Sequence, residues 1–173
     1  MSALLWPGDD RAGDVMSDGA LLAAMVEVEQ AWLAALVATG IAPRSAGQDL
    51  VGLIGPDDLP ALTSGSEATG NPVPPLLVLL RQRLGDREAS RWLHKGLTSQ
   101  DVVDTALVMA ARAAVGAVGA SLLGQARTLC DLVAEHRGTP MVARTLTQHA
   151  VPTTFGLKAV GWLTGVLDAL DDL

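Results

Sequence analysis

Tyrosine is absent from this 173-residue chain, phenylalanine occurs once, and aromatic residues make up 3% of it. So small an aromatic payload argues against an aromatic-rich β-sandwich. The apolar 49% is mostly Ala, Leu and Val, alongside 18 Gly, which suits helices that approach closely. Cysteine is nearly missing too. Cys130 has no possible partner, so there is no disulfide framework and no thiolate metal cage, which fits the cytoplasm. Positive charge is scarce: 12 Lys and Arg against 19 Asp and Glu give a net −7 and a pI of about 4.7. That excludes a nucleic-acid surface, though not an anionic ligand, because local Arg, Lys and helix ends decide the latter. Met1–Trp6 lacks a basic region followed by an apolar core, so no signal peptide is expected. No histidine and carboxylate spacing suggests zinc, and no glycine loop suggests a nucleotide; neither metal nor cofactor is expected. Low-complexity tracts and internal repeats are also lacking.

One run invites a membrane reading. Ala106–Gly124 carries Arg112 as its one charge. A central Arg costs about 2.5–3.5 kcal/mol on insertion scales, and the run is rich in Ala and Gly and lacks an aromatic belt. A buried helix of a large bundle is the better reading.

Periodicity predicts a helix from about Ser17 to Thr39, with Leu21, Leu22, Met25, Val28, Trp32, Leu33 and Leu36 as its apolar stripe. Glu27, Glu29 and Gln30 fall mostly outside that stripe, and Gly40 with Pro43 stops the helix. Prolines and glycines break up residues 41–75 into short helices and turns, with Asn71-Pro72 as a turn start. Further helices are predicted over roughly Pro75–Leu84, Asp86–Leu93 and Ser99–His136. The last would be on the order of 55 Å long and implies a long bundle. Within it Gly116, Ala120 and Gly124 form a seam of small residues. Pro152 is expected to open a final helix with Phe155, Val160, Leu163, Leu167 and Leu170 on one face, and no strand is predicted. That helix is still running at Leu173, which suggests a chain cut in mid-bundle. The expected division is residues 1–98 as an N-terminal helical domain and 99–173 as the start of a central bundle. Trp6, Trp32, Trp92 and Trp162 are expected as core or interface anchors.

Two segments carry chemistry. His94-Lys95-Gly96-Leu97-Thr98-Ser99-Gln100-Asp101-Val102-Val103-Asp104-Thr105 places an imidazole, hydroxyls, an amide and carboxylates at the mouth of the longest helix. By itself it reads as a capping box, Thr98 as N-cap and Asp101 three residues on. A helix start is also a ready site for an anion. The second segment runs Arg144-Thr145-Leu146-Thr147-Gln148-His149-Ala150-Val151-Pro152-Thr153-Thr154-Phe155-Gly156.

Together these segments resemble the fumarase/aspartase superfamily and, within it, the 3-carboxy-cis,cis-muconate cycloisomerases. The first matches His-x-Gly-x-Thr-Ser-Gln-Asp-x-x-Asp-Thr; the second matches Arg-Thr-Leu-x-Gln-x-Ala-x-Pro-x-Thr-Phe-Gly. Gly70-Asn71-Pro72-Val73-Pro74-Pro75-Leu76 is similar to the cycloisomerase Gly-Asn-Pro-x-x-Pro-Leu turn. The resemblance implies an all-α fold: a small N-terminal helical domain leading into a long-helix bundle, here truncated. Fumarases, argininosuccinate lyases and adenylosuccinate lyases carry Thr-His-x-Gln where this chain has Leu146, which favours the cycloisomerase branch over them. The family's third motif, Gly-Ser-Ser-x-Met-Pro-x-Lys-x-Asn-Pro, does not occur here, so the chain by itself is expected to be inactive.

The implied reaction is lactonisation of 3-carboxy-cis,cis-muconate, a small tricarboxylate, in aromatic breakdown. Each active site would gather its motifs from three subunits of a homotetramer. The difficult species is a carbanion delocalised into a carboxylate, which hydroxyl, amide and backbone donors can stabilise without a metal. The resemblance implies His94, Ser99, Thr145 and Gln148 as catalytic residues, with His94 as proton donor or carboxylate ligand. It implies Asn71, Thr98, Gln100, Arg144 and His149 as substrate-binding. Asn71 is explained equally by its turn, Arg144 by an inter-helix ion pair, and His149 by packing. His136 reads as a helix-end residue, Asp101 and Asp104 as caps, and Lys158 as a helix-flank residue. Two other readings compete: another lyase of the superfamily acting on adenylosuccinate, and a helical oligomerising remnant without catalysis.

Overall fold

The computed structural model describes residues 13–173, so Trp6 and the expectation of no signal peptide over Met1–Trp6 lie outside the described residues. Six helices and one small hairpin make up the described chain. It divides into two compact units, Met1–Ala113 and Ala114–Leu173.

The first unit is built on α1 (Asp18–Ala38). Ser17 starts it as a side-chain cap: its Oγ accepts from Ala20 N at 3.2 Å, and Asp18 sits favourably in the first turn. Gly40, at φ 74°, follows its end in the left-handed region. Short 3-10 turns at Arg44–Ala46 and Pro56–Asp58 lead to α2 (Leu59–Thr69) and α3 (Val73–Leu84). These two cross closely, since a Cβ built on Gly65 would lie 2.6 Å from Pro75 Cβ. α3 begins two residues before the expected Pro75 because Asn71 Oδ1 accepts from Val73 N at 2.8 Å. Pro74 and Pro75 then sit in the first turn, where their missing N–H groups have no helical partner to lose.

α4 (Glu88–Trp92) and the first turns of α5 (Ser99–Glu135) close this unit. Leu22, Leu33, Leu50, Leu76, Leu80, Leu93 and Val102 are buried in its core. At roughly 1.5–3 kcal/mol per buried side chain, this cluster dominates the stability of the unit. A smaller cluster joins Leu36, Ala42 and Ala46 beneath Trp32 and Trp92, so both tryptophans serve as packing anchors.

The second unit corrects the sequence reading. β1 (Pro140–Arg144) and β2 (His149–Thr154) form an antiparallel hairpin where no strand was expected. Pro152 pairs with Val142 inside β2 rather than opening a helix. A two-stranded ribbon tolerates Pro because its outer edges need no ladder donor. The last helix, α6 (Phe155–Asp171), is started instead by Thr154, whose Oγ1 accepts from Leu157 N at 3.2 Å. Gly156 lets α6 lie directly against the backbone of His136 and Arg137. Phe155 packs edge-on against His136 and Trp162, with ring centroids 5.0 and 6.0 Å apart.

By length and composition α1 and α5 are both apolar enough to cross a membrane. α1 spends its stripe on the core, whereas Leu107, Val108, Val115, Val118 and Leu123 of α5 stay exposed. Cβ atoms built on Gly116 and Gly124 would meet nothing within 4 Å, leaving that small-residue seam uncovered in this chain.

Candidate active site

The loop from Leu93 to Thr98 is held on α1 by two bonds. His94 Nδ1 lies 2.6 Å from Glu29 Oε1, and Trp32 Nε1 donates to the Lys95 carbonyl at 2.9 Å. Glu29 and Trp32 are one helical turn apart, so one face of α1 grips consecutive residues of the loop. His94 has φ 62°, a left-handed conformation that costs a non-glycine residue on the order of 1 kcal/mol. Gly96 follows at φ 87°, where a Cβ would sit 3.7 Å from the Trp32 ring. Lys95 Nζ lies over the Trp92 ring at 4.1 Å. The outcome is a folded loop that presents the start of α5 to solvent.

At that start the expected capping box is half formed. Asp101 Oδ2 accepts from Thr98 N at 2.9 Å, while Asp101 N bonds to the Thr98 carbonyl at 3.1 Å. Asp101 is thus a cap. Gln100 Nε2 donates to Asp104 Oδ1, one turn along the same helix. Thr98 and Gln100 are exposed and Ser99 is half-buried. The Ser99 and Gln100 amides belong to the first turn, where a helix offers no internal acceptor. Beside it, an open groove of about 320 Å³ has an apolar wall that includes Trp32, Leu97 and Met109, with the carboxylates of Glu27 and Asp101 on its lining. At the helix start itself, hydroxyls, an amide and helix-end N–H groups are donors of the kind that meet a small carboxylate.

Asn71 has its oxygen engaged in the turn before α3, and its carbonyl accepts from Thr69 Oγ1 at 2.8 Å. Its amide nitrogen remains the group with which it would bind anything else.

The second segment forms the tip of the β1–β2 hairpin. Arg144 pairs with His149, and Thr145 N donates to the Gln148 carbonyl at 3.0 Å. Leu146 and Thr147 make the turn, with Thr147 at φ 62° and Leu146 90% exposed. Arg144, Thr145, Gln148 and His149 are therefore neighbours on one exposed tip, a clustering that their sequence order alone does not require. His136 Nδ1 instead lies 3.2 Å from Thr139 Oγ1 at the end of α5. Lys158 Nζ rests 5.6 Å from the Trp162 ring centroid on the flank of α6.

Sequence reasoning missed Glu29. Expected mostly outside the apolar stripe, it is 0% exposed and is the buried polar residue of the core among the described residues. Its Oε2 has no partner there. The available signal was spacing: Glu29 stands four residues after Met25 and four before Leu33, on the buried face of α1. Nothing in the sequence joined it to His94, 65 residues away.

Comparison with known proteins completes the picture. A family described as Lyase matches residues 76–171, more than half of the chain. The chain belongs to the fumarase/aspartase lyase superfamily. It is 45% identical over 158 residues to nitrosuccinate lyase of Streptomyces davaonensis, covering 89% of this chain and 33% of that protein. Against 3-carboxy-cis,cis-muconate cycloisomerase of Bradyrhizobium diazoefficiens identity is 37% over 163 residues, covering 88% and 35%. The crystal structure of fumarate lyase from Mesorhizobium sp. BNC1 superposes with a TM-score of 0.83 at 31% identity, covering 94% of this chain and 38% of that one. The chain thus spans about a third of the length of the curated relatives it matches. For a lyase of this superfamily the helical fold is the expected one, and the α5 start and the hairpin tip are where its two recognisable motifs stand.

Proposed function

We propose that this chain is the N-terminal third of an enzyme that makes or breaks a bond at the carbon β to a substrate carboxylate. The intermediate is a carbanion delocalised into that carboxylate. Ser99, Thr98, Gln100 and the first amides of α5 stabilise the growing negative charge, and His94 handles the proton. Thr145, Gln148 and Arg144 on the hairpin tip meet a second carboxylate of the substrate, supplied to a site shared between subunits of a homotetramer. Other helices of that tetramer cover the apolar residues that α5 leaves exposed, in a cytoplasmic protein.

The observation that carries the substrate class is the 45% identity to a nitrosuccinate lyase. On a nitro-substituted succinate, the proton beside one carboxylate leaves, the electron pair forms the C=C bond, and nitrite departs from the neighbouring carbon. A second reading, lactonisation of 3-carboxy-cis,cis-muconate, is favoured by Leu146 in place of the Thr-His-x-Gln histidine and by the Gly70-Asn71-Pro72 turn. There a carboxylate oxygen adds to a double bond while a proton is delivered beside another carboxylate, so no atom is gained or lost. Leu146 weighs against adenylosuccinate.

The test begins with the intact mass of the native protein in its source cells, followed by substrate profiling of that protein. Nitrite released in step with nitrosuccinate consumption supports the first reading. Loss of the muconate diene absorbance without nitrite release transfers the assignment to the second. Turnover of adenylosuccinate alone overturns both. A native mass near 17.8 kDa with no turnover of any of them leaves a helical remnant without catalysis.

A further inference from the structure

The pair formed by Glu29 and His94 joins a fully buried carboxylate to an imidazole whose side chain is 15% exposed, at 2.6 Å. We propose that Glu29 is a positioning residue for His94, fixing which ring nitrogen faces the substrate; this rests on the reading that His94 serves the reaction. An ionised carboxylate can only accept, so with Glu29 ionised the proposal puts the proton of this contact on Nδ1. Nε2, at the opposite edge of the ring, is then the nitrogen that gains and loses a proton.

Three observations carry the inference. Glu29 Oε1 meets a ring nitrogen, and its Oε2 is buried without any partner, so the carboxylate is committed to this one contact. The backbone of His94 is held in a left-handed conformation that turns its ring back onto α1. The neighbouring carbonyl, that of Lys95, is fastened to the same helix by Trp32, so the loop cannot slide along it. An unpinned imidazole samples both tautomers and several rotamers. Here one remains. In the elimination direction the C–H bond beside the substrate carboxylate breaks, and its proton passes to Nε2. The resulting imidazolium then faces the Glu29 carboxylate through Nδ1–H. In the addition direction the same proton returns to carbon.

The test has two parts. The first is the long-range proton–nitrogen spectrum of the ¹⁵N-histidine-labelled chain at alkaline pH, where imidazoles are neutral. The chain has only three histidines, so His136→Gln and His149→Gln suffice to assign His94. A protonated Nδ1 with a pyridine-type Nε2 is expected, reverting to the opposite tautomer in Glu29→Leu. A native ring protonated on Nε2 overturns the proposal, and this spectrum stands even if Glu29→Leu does not fold.

The second part uses the enzyme from the source cells. Glu29→Gln is expected to lower kcat on the order of 100-fold while KM stays within about threefold. A merely structural role would reduce the amount of folded enzyme and leave kcat per folded site unchanged; that result overturns the proposal. Undiminished turnover by His94→Gln removes the reading beneath it, and the proposal with it. That failure is distinguishable, because the native tautomer would still be the expected one.

Discussion

Replacing Gly156 with Ala should loosen the second unit, and the same change at Gly161, five residues along α6, should tighten it. A Cβ on Gly156 would lie 2.8 Å from the His136 carbonyl oxygen and 2.9 Å from Arg137 Cα and the His136 carbonyl carbon. Ordinary contacts between such atoms are about 3.5–4.0 Å, and backbone atoms cannot rotate away. Overpacking of this kind costs about 1–3 kcal/mol. Retreat of the helix would also strain the Gly156 N to His136 O bond at 3.0 Å and the Phe155 N to Thr139 O bond at 2.9 Å. Such bonds are worth about 1 kcal/mol each. Against this, Ala gains at most about 1 kcal/mol of helix propensity over Gly, so the net is a loss of about 2 kcal/mol. Gly161 is exposed and its Cβ would meet nothing within 4 Å, so there only the gain of about 0.5–1 kcal/mol remains. Hydrogen exchange of the α6 amides reads this unit directly. Exchange should speed up roughly 30-fold in Gly156→Ala and slow about two- to fivefold in Gly161→Ala, at 1.4 kcal/mol per factor of ten. Equal responses at the two positions, or protection gained at Gly156, would refute the close approach of α6 to the end of α5.

The first unit should respond to its core. Leu33 is 1% exposed, and Leu33→Ala should cost about 2–5 kcal/mol in urea unfolding followed by circular dichroism. Trp32→Phe keeps a packed ring but removes the hydrogen bond to the exposed Lys95 carbonyl, lowering stability by about 1 kcal/mol by the same measurement. Thr147→Gly relieves the left-handed turn residue and should raise hairpin protection by up to about 1 kcal/mol in hydrogen exchange. In the enzyme from source cells, Gln148→Leu should reduce kcat/KM by about two orders of magnitude. Its melting temperature should stay within about 2 °C, because the side chain is exposed.

The helices were largely legible because their apolar residues recur with the helical period and their ends carry explicit signals. Ser17 before α1, Gly40 after it and Ser99 opening α5 all act where local chemistry placed them. The hairpin was illegible for the opposite reason. Pro140 and Pro152 are poor strand formers, the alternation is weak, and the strands run only five and six residues. Their pairing is a property of two segments together. Nor does the expected helix start at Pro152 hold, because Thr154 supplies the cap two residues later.

What the sequence by itself determined is the helical class, most helix limits and the two chemical segments, since all of these rest on spacing within a few residues. What only the tertiary structure decided is which side chains share an environment. Helical spacing puts Glu29 on the core face between Met25 and Leu33, but its partner is supplied by a loop 65 residues away, which folds over it and offers His94. Likewise Arg144, Thr145, Gln148 and His149 became a single tip once a hairpin register set Arg144 opposite His149. Periodicity reports how a segment faces the core, but the partner that a buried charge requires is chosen by chain topology.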